Sequence, residues 1–97
     1  MLNDTVRSKL SALSRRLEEI DRMLAAPETA ADMNKFRDLS RERTEIEPVA
    51  VKLAQYESAE ADLKTAEELA EDPEMREFAE EETAKAKAEL ERLEEAL

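Results

Sequence analysis

Carboxylates and cationic side chains are almost the only groups in this chain able to do chemistry, and their spacing decides which chemistry is open to them. Glu80, Glu81 and Glu82 in a row, and Glu67 with Glu71 one helical turn apart, are the groupings a metal ion or a general acid–base pair would use. A carboxylate-bridged di-iron site in a helical bundle also needs Glu-x-x-His, and the chain has no histidine. A calcium loop sets its oxygen ligands around a glycine turn, and the chain has no glycine. The absence of cysteine removes the remaining common transition-metal ligand and, with histidine, the ordinary nucleophile–base pairs. Phosphate-cradling loops and nucleophile elbows need glycine and are excluded too. These carboxylates therefore read as solvated helix faces. No catalytic residue, metal or cofactor is expected, and the chain is read as a non-enzyme.

The cationic residues are more informative. Lys35, Arg37, Arg41 and Arg43 form the densest basic stretch, and Arg37 and Arg41 share one helix face. One reading is charge balance with Asp38, Glu42, Glu45 and Glu47; the other is a contact patch of Lys35, Arg37 and Arg41 for an acidic partner or an RNA backbone. The net charge of −11 is skewed: residues 1–66 carry 11 basic and 13 acidic side chains, residues 67–97 carry 4 and 13. A phosphate backbone would be repelled by the last third, and three aromatic residues supply no stacking platform, so sequence-specific nucleic-acid binding is not expected. Tyr56 reads as a seam residue with its hydroxyl at the rim. Met1, Met23, Met33 and Met75 form no methionine groove.

The elements that must carry these groups are helices, since Leu, Ala, Glu, Lys and Arg dominate. Val6, Leu10, Leu13, Leu17, Ile20 and Leu24 step by fours and threes, a coiled-coil stripe over residues 4–25. Asn3 or Asp4 can cap its start, and Pro27 ends it. Glu18 with Arg22 would be a supporting surface pair. A second helix over 29–70 starts at Thr29 and buries Phe36, Leu39, Ile46, Val49, Leu53, Tyr56, Leu63, Ala66 and Ala70. Pro48 lies inside it, yet the stripe keeps phase across the proline. This predicts one long helix, kinked or briefly interrupted near residues 44–48, with two helices and a sharp bend as the alternative. A third helix over 73–96 opens at Asp72-Pro73 and carries Met75, Phe78, Ala79, Thr83, Ala86, Leu90, Leu93 and Leu97, with Glu81–Lys85 as a surface pair. Its small middle, Ala79–Ala86, admits close approach of a partner helix. At about 1.5 Å per residue the helices are roughly 33, 63 and 36 Å long. Short turns make neighbours antiparallel, so the first helix pairs with the front of the second and the third with its back. The expected architecture is all-α: a single domain, an elongated antiparallel three-helix bundle with a long middle helix kinked near Pro48. With 41% hydrophobic residues the chain can fill helix seams but not a thick core. No apolar run approaches the roughly 18 residues a membrane span needs. The start Met1-Leu2-Asn3-Asp4 lacks a leader signature, and zero cysteine fits the cytoplasm.

Asp72-Pro73-Glu74-Met75-Arg76-Glu77, followed by Ala79 and Glu82, resembles the release factor 1 branch of the bacterial class I peptide chain release factors. Phe36-Arg37-Asp38-Leu39-Ser40-Arg41-Glu42, Glu45-Ile46-Glu47-Pro48-Val49, and the opening helix with Arg15, Leu17, Glu18 and Glu19 are similar to the same branch. The resemblance covers nearly the whole chain, with 72–77 its most specific piece; the sister branch that reads UAA and UGA is less well matched. It implies the N-terminal helical domain of a factor that terminates translation at UAA and UAG. The parts that follow this domain in the family, a codon-reading domain and a Gly-Gly-Gln domain, are not in this sequence, so the chain should neither decode nor release. The resemblance further implies a cytoplasmic, monomeric module that docks at the base of the large-subunit stalk of the ribosome, with a GTPase release factor as a possible second partner. The spacing of the stripes alone equally supports a free-standing coiled-coil adaptor or chaperone-like helical hairpin.

Overall fold

In the computed structural model, which describes residues 2–97, the chain is all-α, with α1 at Asp4–Ala25, α2 at Pro27–Ala30, α3 at Met33–Leu69 and α4 at Arg76–Ala96. The readings that involve Met1 lie outside the described residues. Two compact units divide the chain, Leu2–Val51 and Lys52–Leu97.

In the first unit, Asn3 provides the cap of α1: its backbone is extended (ψ 166°) and its Oδ1 accepts from the Val6 amide at 2.8 Å. Asp4 then sits in the first turn, where the positive end of the helix dipole favours a carboxylate. The helix stops at Ala26, extended at ψ 136° because Pro27 follows it. Pro27 does more than stop α1, however. Its fixed φ suits a first helical position, and it opens the short α2, an element the sequence reading did not contain. Thr29, expected to start the long helix, is instead enclosed within α2, 1% exposed. Its amide donates to the Ala26 carbonyl at 3.1 Å. The start of the long helix moves on to Met33, and the cap to Asp32, whose Oδ1 accepts from the Lys35 amide at 3.1 Å. The unit is closed by Ile20 of α1 against Leu39 and Ile46 of α3, with Leu13, Leu17, Met23 and Leu24 packed around them.

The helix α3 is unbroken through Pro48, so the long-helix form of the expectation stands and no interruption divides it. The proline has no N–H for the carbonyl of Thr44. Thr44 itself turns its hydroxyl onto the carbonyl of Ser40 at 3.0 Å, the back-bonding that accompanies locally perturbed helix.

In the second unit, Leu53, Tyr56, Ala59 and Ala66 of α3 and Ala79, Ala86, Leu90 and Leu93 of α4 are buried. Four of these eight are alanines: Ala79 and Ala86 give the small lining expected for the middle of the last helix, and Ala59 and Ala66 of α3 add to it. Tyr56 is fully enclosed, and its hydroxyl donates to Glu94 Oε1 at 2.8 Å rather than resting at a rim. The connection into α4 also differs from expectation. Asp72 Oδ1 accepts from the Glu74 amide and the Asp72 carbonyl from the Met75 amide, both at 3.0 Å. Asp at the first and Pro at the second position of such a turn is favourable, so Asp72-Pro73 makes a tight turn first and the helix begins at Arg76. Three residues assigned to the stripes by spacing, Val6, Phe36 and Phe78, remain exposed.

Two stability measurements follow from this packing. Pro48 is exposed within a continuous helix, so Pro48→Ala is expected to raise the unfolding free energy by up to about 3 kcal/mol in urea titration. A fall would show that the ring is needed by its surroundings. Ile20 is wholly buried, so Ile20→Ala is expected to cost about 2–5 kcal/mol in the same titration.

Candidate functional site

Lys35, Arg37 and Arg41 are all exposed on the first part of α3. The structure brings only two of them together. Residues four apart stack on one face of a helix, so Arg37 and Arg41 continue a row that begins at Met33. Lys35 lies two residues before Arg37, and side chains at that spacing do not face each other. The lysine is therefore not part of the arginine row.

The rest of the basic stretch is used structurally. Glu42 of α3 receives a forked pair of bonds from Arg16 of α1, Nε to Oε1 at 2.6 Å and a terminal nitrogen to Oε2 at 2.8 Å. Arg16 also reaches Glu19 at 2.6 Å. One residue further along α3, Arg43 pairs with Asp21 of α1 at 2.7 Å and with Glu47 one turn on at 2.5 Å. The two clusters flank Ile20, Leu39 and Ile46. Charge balance thus accounts for Glu42, Arg43 and Glu47, while among the described residues Arg37 and Arg41 take no carboxylate.

These contacts set the local electrostatics. The hydrogen bond from Arg16 holds the Glu42 carboxyl below its ordinary value against some desolvation, and the same bond raises the Arg16 guanidinium. Arg43 is raised chiefly by its bond to Asp21, with Glu47 adding to it. On α4, Arg92 grips Glu89 through two bonds of 2.5 and 3.0 Å and lowers that carboxyl. Lys85 leans on Glu82 at 3.4 Å rather than on Glu81.

Sequence reasoning missed Arg16 and Asp21 as partners of α3. The signal was present: each adjoins a stripe residue, Leu17 or Ile20, and such flanking positions are where charge pairs cross between helices.

Among the described residues no three metal-ligating side chains converge, which includes Glu80–Glu82 and Glu67 with Glu71. The grooves of the second unit are shallow and open, one lined by Asp62, Thr65, Ala66, Leu69, Phe78 and Glu82. No buried side-chain polar atom lacks a partner among the described residues, so none is left aimed into a groove for a ligand.

The lowered Glu42 carboxyl contributes stability that is complete above its ordinary value of 4.5 and is lost as pH falls through the lower value it has in the fold. Thermal melts between neutral pH and pH 3 are therefore expected to show Glu42→Gln less stable than the parent at neutral pH, with the gap closing below about pH 4.5. A gap that stays constant with pH would show that the fork carries no charge contribution.

A family model described as the PCRF domain matches residues 13–97. The match runs through α2, α3 and α4 and takes in the Ile20–Leu39–Ile46 seam, the arginine row and the turn at Asp72-Pro73. No solved structure matches the chain. Among the described residues no helix is long and apolar enough to cross a membrane. With the PCRF match spanning most of its length, the chain belongs to the peptide chain release factor family.

Proposed function

We propose that this chain is the N-terminal ribosome-docking domain of a class I release factor of the release factor 1 branch, whose parent protein ends translation at UAA and UAG. The observation that carries the reading is the PCRF match over residues 13–97, supported by the detailed resemblance of Asp72–Glu77, Phe36–Glu42 and Glu45–Val49. The chain is non-catalytic in this reading. Its sequence holds no glycine, and so no Gly-Gly-Gln loop, and neither histidine nor cysteine for an ordinary nucleophile–base pair. Its task is placement: a folded cytoplasmic monomer that meets the large subunit at the stalk base and leaves decoding and peptide release to the rest of the parent. A GTPase release factor is a second partner in this scheme.

The charge distribution supports that task. Residues 1–51 carry nine basic and ten acidic side chains and residues 52–97 carry six and sixteen, giving net charges of −1 and −10. The strongly acidic segment is repelled by ribosomal RNA and suits solvent or a basic ribosomal protein, whereas the near-neutral segment, with Arg37 and Arg41, can approach a surface of anions. Lys35 belongs to the proposed contact only as a neighbour on another face of α3. The match across both units supports this reading over a free-standing coiled-coil adaptor.

Co-sedimentation with ribosomes tests the proposal. The isolated chain is expected to bind weakly, more weakly at higher salt, and equally whether a stop or a sense codon occupies the decoding site. Tight binding that requires a stop codon, or no binding at low salt, would overturn it.

A further inference from the structure

The outward face of α3 in the unit Leu2–Val51 combines exposed apolar and cationic groups that take no part in that unit's seam or ion pairs among the described residues. Met33 is 75% exposed, Phe36 46% and Val51 48%. Met33, Arg37 and Arg41 step by four, Phe36 lies beside Met33 one turn on, and Val51 returns to the Met33 direction after about five turns of 3.6 residues. Leu39 and Ile46 occupy the opposite, buried side of the helix. Two like charges one turn apart are unfavourable on a helix, and among the described residues neither arginine forms an ion pair, although Asp38 and Glu45 lie three residues before and four residues after Arg41.

The residue types indicate the kind of occupant. Met, Phe and Arg are the types enriched in the cores of protein interfaces, from which Lys and acidic residues are depleted. A phosphate backbone would satisfy the arginines but would offer nothing to cover Met33, Phe36 and Val51, and a single aromatic ring is a poor platform for successive bases. An acidic amphipathic protein segment fits both halves of the face. Its carboxylates would take the guanidinium forks in paired bonds, and its apolar side chains would remove the exposed methionine, phenylalanine and valine surface from water. We infer that the Met33–Phe36–Arg37–Arg41–Val51 face of α3 docks an acidic, amphipathic protein segment displayed on the ribosome. This inference rests on the ribosome-docking reading and deepens it by assigning the contact to protein rather than RNA.

Site-specific photo-cross-linking separates the two. Phe36 is replaced by p-benzoylphenylalanine, the chain is bound to ribosomes, sedimented and irradiated, and the attached species is identified by mass spectrometry. The expected product joins position 36 to an acidic protein segment. Its yield should fall about tenfold or more in the R37E/R41E double variant and by a smaller factor in Arg37→Ala. Both arginines are exposed, so circular dichroism melts of the variants are expected to match the parent. Attachment to ribosomal RNA or to a basic segment, or no product from chain that still sediments with ribosomes, overturns the inference and leaves the docking reading standing. Failure to sediment with ribosomes removes the docking reading and the inference with it.

Discussion

The enclosure of Ile20 between Leu39 and Ile46 is the constraint on which the candidate surface depends. A helix has one rotational setting at a time. Turning Leu39 and Ile46 toward α1 fixes the direction of every other residue in that part of α3, and the row opposite them is Met33, Arg37 and Arg41. The exposure of two arginines and a methionine is therefore a consequence of the seam and not a local accident. A chain with so few aromatic residues has little else with which to hold that setting, so the seam is built from several medium-sized aliphatic contacts.

The ion pairs on either side of the seam refine it. Arg16 to Glu42 and Arg43 to Asp21 cross between α1 and α3 at adjacent positions of α3 and act on register more than on net stability, since exposed pairs of this kind are weak individually. They also sort the basic stretch. Arg43 is consumed by the fold, Lys35 lies on another face, and Arg37 and Arg41 are left exposed. The second unit makes a different use of charge: Glu82 and Glu89 are held by Lys85 and Arg92 on the same helix, and Glu94 accepts from the buried Tyr56 hydroxyl.

Much of this was legible in the residues. Leu39, Ile46, Leu53 and Tyr56 keep helical phase across Pro48, and the structure carries one helix through them. Elsewhere local chemistry overrode the pattern. Asp32 competed with Thr29 for the cap, and Asp72 spent its side chain on the Glu74 amide, which delayed the last helix to Arg76. Spacing also placed Phe36 and Phe78 in the stripes, because periodicity reports direction around a helix and not whether a partner covers that direction. The split of Lys35 from Arg37 and Arg41 could have been read from the two-residue interval. The identity of the residues left without carboxylate partners needed the cross-helix pairs to be seen.

Whether this sequence is the docking part of a peptide-releasing factor is decided by sequencing the source gene past the codon for Leu97. An open reading frame that continues into a segment encoding Gly-Gly-Gln is the expected result. A stop codon immediately after Leu97 would contradict the account and leave a stand-alone helical protein without access to the release reaction.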